Sequence, residues 1–206
     1  MNRSDSSQFK APKIPFRIIR EHADDFRDKY WSEGTLPIDI FKIIELRLKL
    51  DVIPIRELQT RYDIDAFLSC DLKSIFVDSK QFEEDRFLNR IRFSVAHELG
   101  HLVLHSKIYQ DFKFESIQDR ITFILGLPED EYSWIENQAH EFAGRLLVPR
   151  DILKECLDEM SDKIDFAKAN YDDEELIASY IAPNICKKFQ VSDQVIKKRI
   201  LREKLL

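Results

Sequence analysis

Two histidines four residues apart flank a glutamate in the segment His97-Glu98-Leu99-Gly100-His101. Residues four apart lie on the same face of a helix, so both imidazoles can point at one ion. Zinc binds neutral imidazole nitrogens, and the glutamate can take a proton from a zinc-bound water molecule. This HExxH motif predicts that His97 and His101 are zinc ligands and that Glu98 is the general base of a hydrolase. The alternative interpretation is a pair of histidines that are hydrogen-bonded in a helical core.

A catalytic zinc site usually has a third protein ligand. The longer metzincin motif would place a third histidine at position 107, where this sequence has Lys107. Glu136, in a later helical segment, is the best candidate for this ligand. Small residues at Ala139, Ala143 and Gly144 would let that helix approach the HExxH helix closely. The alternative for Glu136 is an exposed acidic residue.

Composition restricts the class of protein. A chain of 206 residues suits one domain of ordinary size, and a net charge of -6 indicates a soluble, mildly acidic protein. The cysteines, Cys70, Cys156 and Cys186, are far apart, which favours free thiols in a reducing compartment. The sequence has no apolar run of membrane-spanning length and no secretory signal. We therefore expect a cytoplasmic protein without membrane contact.

Few glycines and prolines occur, 4 and 7, so a mostly helical α+β fold is expected. Apolar periodicity predicts a set of helices, over residues 14–31, 37–50, 83–105, 116–126 and 128–147. An edge strand is predicted over 51–55, because Pro54 would be poorly tolerated in a central strand. Residues 66–70 and 74–78 read as a β-hairpin whose edge could pair with a substrate strand, and residues 106–115 read as a loop.

The segments HELGHLVLH and ENQAHEFAGRLLVP, which begin at His97 and Glu136, resemble motifs of the ImmA/IrrE family of metallopeptidases. The resemblance covers roughly residues 37–149 and, more loosely, the C-terminal tail. It implies a zincin-like core with a small twisted β-sheet, an active-site helix and a second helix that donates a glutamate. It also implies one catalytic Zn²⁺ held by His97, His101 and Glu136, with Glu98 as the base. The implied substrate is a helix-turn-helix (XRE-type) repressor or an antitoxin partner.

Four other side chains could orient a metal ligand or stabilise the transition state. His140 stands where the family usually has Asn or Asp, and it could orient a ligating imidazole, pack in the core, bind the metal or act as an electrophile. His105, four residues after His101, lies about 40° around the helix from the metal face and is expected to be a cap or wall residue. Tyr132 is a candidate oxyanion donor, as is Tyr109, without further support from the sequence.

The chain is expected to have three parts: a flexible leader over 1–13, the zincin-like metallopeptidase domain over 14–150, and a helical extension over 151–206 that packs on the core. Residues 177–203 of the extension resemble part of a helix-turn-helix. Their local basic excess would suit phosphate contacts, so a metal-binding transcriptional regulator that binds DNA is the alternative function. Packing of this helix pair on the core is the favoured interpretation.

Overall fold

The structure is a computed structural model that describes residues 8–112 and 117–206. Helices dominate it, and their bounds are α1 Phe16–Tyr30, α2 Ile40–Lys42, α3 Leu58–Tyr62, α4 Ser79–Glu83, α5 Leu88–Phe112, α6 Ile117–Leu125, α7 Glu129–Leu147, α8 Arg150–Asp158, α9 Ser161–Asn170, α10 Glu174–Phe189 and α11 Asp193–Glu203. A π-helical segment, Ile43–Leu48, continues α2, and a 3-10 turn, Asp85–Phe87, precedes α5. Together with a small three-stranded sheet, these helices confirm the predicted fold class, which is α+β and mostly helical.

Within the described residues, three strands form one mixed sheet in the order β1-β3-β2. Their bounds are β1 Asp51–Ile55, β2 Ala66–Leu68 and β3 Ser74–Asp78. β1 pairs in parallel with β3, and β2 pairs antiparallel with β3, which confirms the predicted hairpin. β1 lies at an edge of the sheet, as the presence of Pro54 predicts. β2 forms the other edge and packs against α5.

The HExxH helix α5 begins and ends later than predicted. Its predicted start is occupied by α4 and the 3-10 turn, and the regular helix begins at Leu88. At the other end α5 continues to Phe112, so the predicted loop is wrong for residues 106–112, while 113–115 lie outside the described residues. Tyr109 is buried four residues after the buried His105, so the packed face of the helix extends by one more turn.

The predicted helix over 37–50 also differs from the structure. Asp39 caps the helix, because its carboxylate accepts the N–H of Lys42 at 3.0 Å, and Pro37 precedes the helix instead of lying in its first turn. A side chain that accepts an orphan N–H stabilises the start of a helix.

α5 and α7 pack closely because both helices carry small residues at their contact. A Cβ added at Gly100 would lie 3.0 Å from both the Cα and the carbonyl oxygen of Ala139. The prediction of a close approach is therefore confirmed for Ala139, whereas Gly144 makes room for α11, with Arg199 Cδ 3.1 Å from an added Cβ. A larger residue at position 100 would push apart the helices that carry the HExxH motif and Glu136.

The described part of the N-terminal segment, residues 8–15, lies against the body of the protein. The Ala11 N–H donates to Glu131 Oε2 at 2.8 Å, and the Lys13 amine lies 3.3 Å from the same oxygen. Ala11 is buried. These contacts differ from the expected flexible leader over 1–13, of which residues 1–7 lie outside the described residues.

The C-terminal helices α10 and α11 pack through the apolar residues that the sequence predicted for the pair. Ile177, Ile181 and Ile185 of α10 and Ile200 of α11 are buried. Ser192 begins α11 by accepting the N–H of Val195 at 3.3 Å. Helix, short turn and helix are therefore present, with their apolar faces turned into the protein.

Buried charges join α11 to α1 and α7. Glu141 is 1% exposed, and its carboxylate accepts hydrogen bonds from Arg20 at 2.6 Å and from Arg199 at 3.0 Å, and also from Arg202. Arg199 is 2% exposed and also contacts Glu203. Burial alone would raise the pKa of Glu141, but the hydrogen bond from Arg20 and the charge of Arg199 lower the pKa below its ordinary value.

Replacing Glu141 by glutamine is expected to lower the unfolding free energy by about 3–5 kcal/mol at neutral pH, because the buried Arg199 would keep its charge with Glu203, which also pairs with Arg145, as its remaining partner. The difference from wild type should be complete above pH about 4.3, the ordinary pKa of an unfolded glutamate. It should shrink as the pH falls towards the lowered pKa of the folded protein, since Glu141 is then protonated. Urea unfolding at several pH values measures this. The exposed Glu155→Gln variant is the control, and an equal loss in both variants would contradict the prediction.

The sequence also led to predictions about membrane-spanning segments and about the three cysteines. None of the helices in residues 8–112 and 117–206 is long and apolar enough to cross a membrane. Cys70, Cys156 and Cys186 are all free thiols. Packing, hydrogen bonds and buried ion pairs therefore hold these helices together.

Candidate metal centre

α5 and α7 bring the three predicted metal ligands together. The Nε2 atoms of His97 and His101 are 2.9 Å apart. Glu136 Oε2 lies 3.1 Å from His97 Nε2, and Glu136 Oε1 lies 3.4 Å from His101 Nε2. Two imidazoles one helical turn apart and a carboxylate from a second helix thus meet at one point.

This donor set fits a zinc ion. Two ligands bound tetrahedrally at about 2.0–2.1 Å from zinc lie about 3.3 Å from each other, close to the separations between His97, His101 and Glu136. Both histidines are buried. Burial alone would raise the pKa of Glu136, but the neighbouring His101 and His97 rings lower the pKa well below its ordinary value. The carboxylate is therefore anionic, as a ligand to a divalent cation must be.

Glu98 lies beside the two histidines and is held there by the sheet. Its Oε2 accepts the backbone N–H of Leu68 in β2 at 2.7 Å. A carboxylate oxygen of Glu98 and one ring nitrogen each of His97 and His101 all lie within 4.8 Å of one another. Since β2 packs on α5, the sheet fixes the position of this carboxylate relative to the imidazoles.

His140 lies against the ring of His97. The two ring centroids are 4.6 Å apart at an interplanar angle of 77°, and His140 Nδ1 is 3.1 Å from the carbonyl oxygen of Glu136. Because a carbonyl can only accept, Nδ1 donates. Burial, followed by the charge of His97, lowers the pKa of His140 to about 4, so the ring is neutral near pH 7. His140 therefore limits how far the His97 imidazole can tilt, and a second possible metal-binding group consists of His97, Glu136 and His140.

His105 lies behind His101, on the side away from Glu136. Its Nδ1 is 3.0 Å from His101 Nδ1, and its Nε2 is 2.9 Å from Gln138 Oε1. Burial lowers the pKa of His105 to about 4. The sequence predicted a cap or wall residue here and did not single out Gln138. The spacing gave no signal for Gln138, because residues two positions apart do not lie on the same face of a helix.

The two tyrosine candidates differ in position. Tyr132, at the start of α7, lines the cleft that leads to His97 and Glu136. Tyr109 is buried and does not line this cleft; it lines a small cavity that His105 and Tyr132 also line. Tyr132 is therefore the better placed of the two to reach a substrate.

An open cleft of about 850 Å³ leads to the three predicted ligands. Its walls come from residues 63–67 at and before β2, from α5 and α7, and from the start of α11, where Ser192 and Lys198 line it. The volume is within the usual range for ligand clefts. The C-terminal extension thus contributes directly to the surface that surrounds the site.

The class of protein follows from this arrangement: an HExxH helix packed on a small mixed sheet, with a glutamate from a second helix, is a zincin-like fold. The family model of the IrrE N-terminal-like domain, peptidase M78, matches residues 60–201. The chain belongs to this peptidase family, which confirms the resemblance to ImmA/IrrE metallopeptidases. The matched region extends beyond residue 149 and includes most of α11.

A comparison with solved structures finds a protein named "Mycobacterium tuberculosis transcriptional regulator". The sequence identity is 15% and the TM-score is 0.45, over 89% of this chain and 51% of that chain. This chain therefore spans about half the length of that protein. No protein of curated function matches the sequence.

Proposed function

We propose that this protein is a zinc-dependent endopeptidase in which His97, His101 and Glu136 hold one catalytic zinc ion. The observation that carries the proposal is the meeting of two imidazole nitrogens and a carboxylate within 3.4 Å of one another in an open cleft. Three protein ligands with an open side are typical of catalytic zinc. Zinc bound there would polarise the substrate carbonyl as a Lewis acid and lower the pKa of water.

Glu98 is the general base in this proposal. The hydrogen bond from Leu68 N–H restrains its carboxylate beside the histidines. The carboxylate would accept a proton from the attacking water and later transfer it to the amine nitrogen of the leaving peptide. A restrained base favours both transfers, because less conformational entropy is lost when the substrate binds.

The outer edge of β2 is the proposed docking site for an extended substrate. Ladder bonds join Asp78 N to Asp65 O and Ser69 N to Ser74 O, so the odd-numbered residues of this segment face β3. The backbone groups of Ala66 and Leu68 therefore face away from β3. The Leu68 N–H on that side already donates to Glu98, so the backbone of Ala66, which lines the cleft, is the part proposed to pair with a substrate. A peptide that added a strand here would lie in the cleft that contains the proposed ligands.

A helix-turn-helix repressor or an antitoxin partner is the proposed substrate, as the family resemblance implies. Residues 151–175 carry ten acidic residues against three lysines, and most of them are exposed. DNA-binding regulators carry basic surfaces, so this acidic surface supports docking of such a protein by charge complementarity.

The test combines metal analysis with cleavage of a co-expressed helix-turn-helix protein. The expected result is one zinc ion per chain and a cleaved partner, with cleavage stopped by a chelator and restored by added zinc. Cleavage that continues in excess chelator, or a purified protein that binds no stoichiometric metal, would reject the proposal. Reading the partner's new termini by mass spectrometry distinguishes cleavage by this chain from degradation by host proteases.

A further inference from the structure

A continuous chain of hydrogen bonds joins His101 to the N-terminal segment. His101 Nδ1 is 3.0 Å from His105 Nδ1, and His105 Nε2 is 2.9 Å from Gln138 Oε1. Gln138 Nε2 donates to the carbonyl oxygen of Pro12 at 2.6 Å. The side chains of His101, His105 and Gln138 are buried, with exposed fractions of 4%, 1% and 0%, respectively. Burial excludes water as a competing partner and strengthens each bond.

The Pro12 end fixes the direction of every bond in this chain. A carbonyl oxygen can only accept, so the amide nitrogen of Gln138 faces Pro12 and the amide oxygen faces His105. That oxygen can also only accept, so His105 donates from Nε2 and, as a neutral imidazole, accepts at Nδ1. His101 must then donate from Nδ1. Its Nε2, the atom that faces His97 and Glu136, keeps the lone pair that a metal requires.

We propose that Gln138 and the N-terminal segment are positioning elements of the metal centre, which act through His105 to hold His101 in the tautomer that binds metal. This inference rests on the proposed zinc site. It adds residues outside the HExxH motif and the ligand set, and it gives the segment around Pro12 a role in metal binding. None of these groups touches the substrate.

α7 holds the N-terminal segment at points on one helical face. Glu131 accepts the Ala11 N–H at 2.8 Å, and the Lys13 amine lies 4.7 Å from the ring centroid of Trp134. Glu131 and Gln138 are seven residues apart, which is two helical turns, so both lie on the same side of α7. These contacts fix the position of Pro12, and a fixed carbonyl is what prevents the Gln138 amide from reversing.

The zinc affinities of two variants at position 138 test this relay, by which we mean the hydrogen bonds from Pro12 through Gln138 and His105 to His101. The affinities are measured by competition with a chromophoric chelator. Gln138→Met keeps the size of the side chain but removes the acceptor for His105, and we expect zinc to bind about 10–100-fold more weakly. Gln138→Glu keeps an acceptor oxygen for His105 but loses the donor to Pro12, so it should lose less affinity than Gln138→Met. The control is Gln81→Met, which alters another buried glutamine whose side chain bonds Asp65 and not a histidine, and which should leave zinc affinity unchanged.

Histidine-ring ¹⁵N NMR of the zinc-free protein reads the tautomers directly, which a purely structural role of Gln138 would not change. We expect the Nδ1–H form for His101 and the Nε2–H form for His105, and loss of this pattern in Gln138→Met. If wild type binds one zinc but His105 carries its proton on Nδ1, or Gln138→Met binds zinc as tightly as wild type, the relay is wrong and the zinc site stands. If wild type binds no zinc, both proposals are wrong.

Discussion

Glutamine at position 98 is expected to give a folded, zinc-loaded protein whose turnover is lower by about 10²–10⁴-fold, the usual contribution of a general base. Glutamine has the shape of glutamate, and its amide oxygen can still accept the Leu68 N–H that lies 2.7 Å from Glu98 Oε2. The amide cannot accept a proton at neutral pH. Proton transfer from water is therefore expected to be lost, whereas the proposed ligands His97, His101 and Glu136 are unchanged.

The measurement is kcat and KM on a purified partner or a peptide substrate, with zinc content determined on the same samples. We expect the loss in kcat, because the variant keeps the contacts that bind the ground state and loses one that acts in the transition state. Glu129→Gln, which alters an exposed glutamate at the start of α7, is the control and should retain full activity. Turnover of Glu98→Gln close to that of wild type would exclude Glu98 as the base.

The arrangement of the candidate site could be predicted because its main contacts follow local rules. His97 and His101 lie on one face through helical spacing alone, and the structure places their Nε2 atoms 2.9 Å apart. The contribution of Glu136 required a second step, from small residues that allow a close helix contact. Ala139 meets Gly100 at that contact, so the pattern on α7 contained the information, although its partner on α5 could be identified only from the structure.

Contacts between residues far apart in sequence could not be predicted. Pro12 and Gln138 are 126 residues apart, and the polar composition near Pro12 favours a flexible leader when it is considered alone. The prediction of where α5 ends was wrong for a related reason. The residues after His105 were interpreted as a loop, whereas the helix continues to Phe112. Burial of Tyr109 against the rest of the protein stabilises the added turn, and tertiary packing commonly overrides local preference in this way.

The basic C-terminal helices show that a count of charges is a poor predictor of DNA binding when the charged side chains pair with other residues of the protein. Arg199 contributes to the local positive excess, yet it is buried against Glu141, and Lys197 lies 3.3 Å from Glu175. Arg199 is therefore not a free cation for a phosphate, whereas Lys197 makes an exposed ion pair. Replacing Arg199 by glutamate would put two like charges together in a buried site, so the loss of any DNA binding by that variant would report unfolding. A test of DNA binding should therefore leave Arg199 unchanged.

Removal of the Glu136 side chain in Glu136→Ala is expected to weaken zinc binding by more than about 100-fold, the upper limit for residues that only orient a ligand. The carboxylate lies 3.1 Å from His97 Nε2 and 3.4 Å from His101 Nε2 and is the anionic member of the donor set. Two imidazoles alone leave the ion with less charge compensation and one fewer bond. Peptidase activity should be lost together with the metal.

Thermodynamic linkage gives this prediction a readout that does not depend on a substrate. Zinc at 100 times the dissociation constant of wild type raises the unfolding free energy by about 2.7 kcal/mol, and the same concentration raises it by only about 0.4 kcal/mol in a variant that binds 100-fold more weakly. Denaturant unfolding with and without zinc measures both values, with the exposed Glu129→Ala as the control. Equal stabilisation of Glu136→Ala and wild type would exclude Glu136 as a ligand. His140 would then be the next candidate, because its ring already lies within 4.6 Å of the His97 ring, and His140→Phe would distinguish the two sets of ligands.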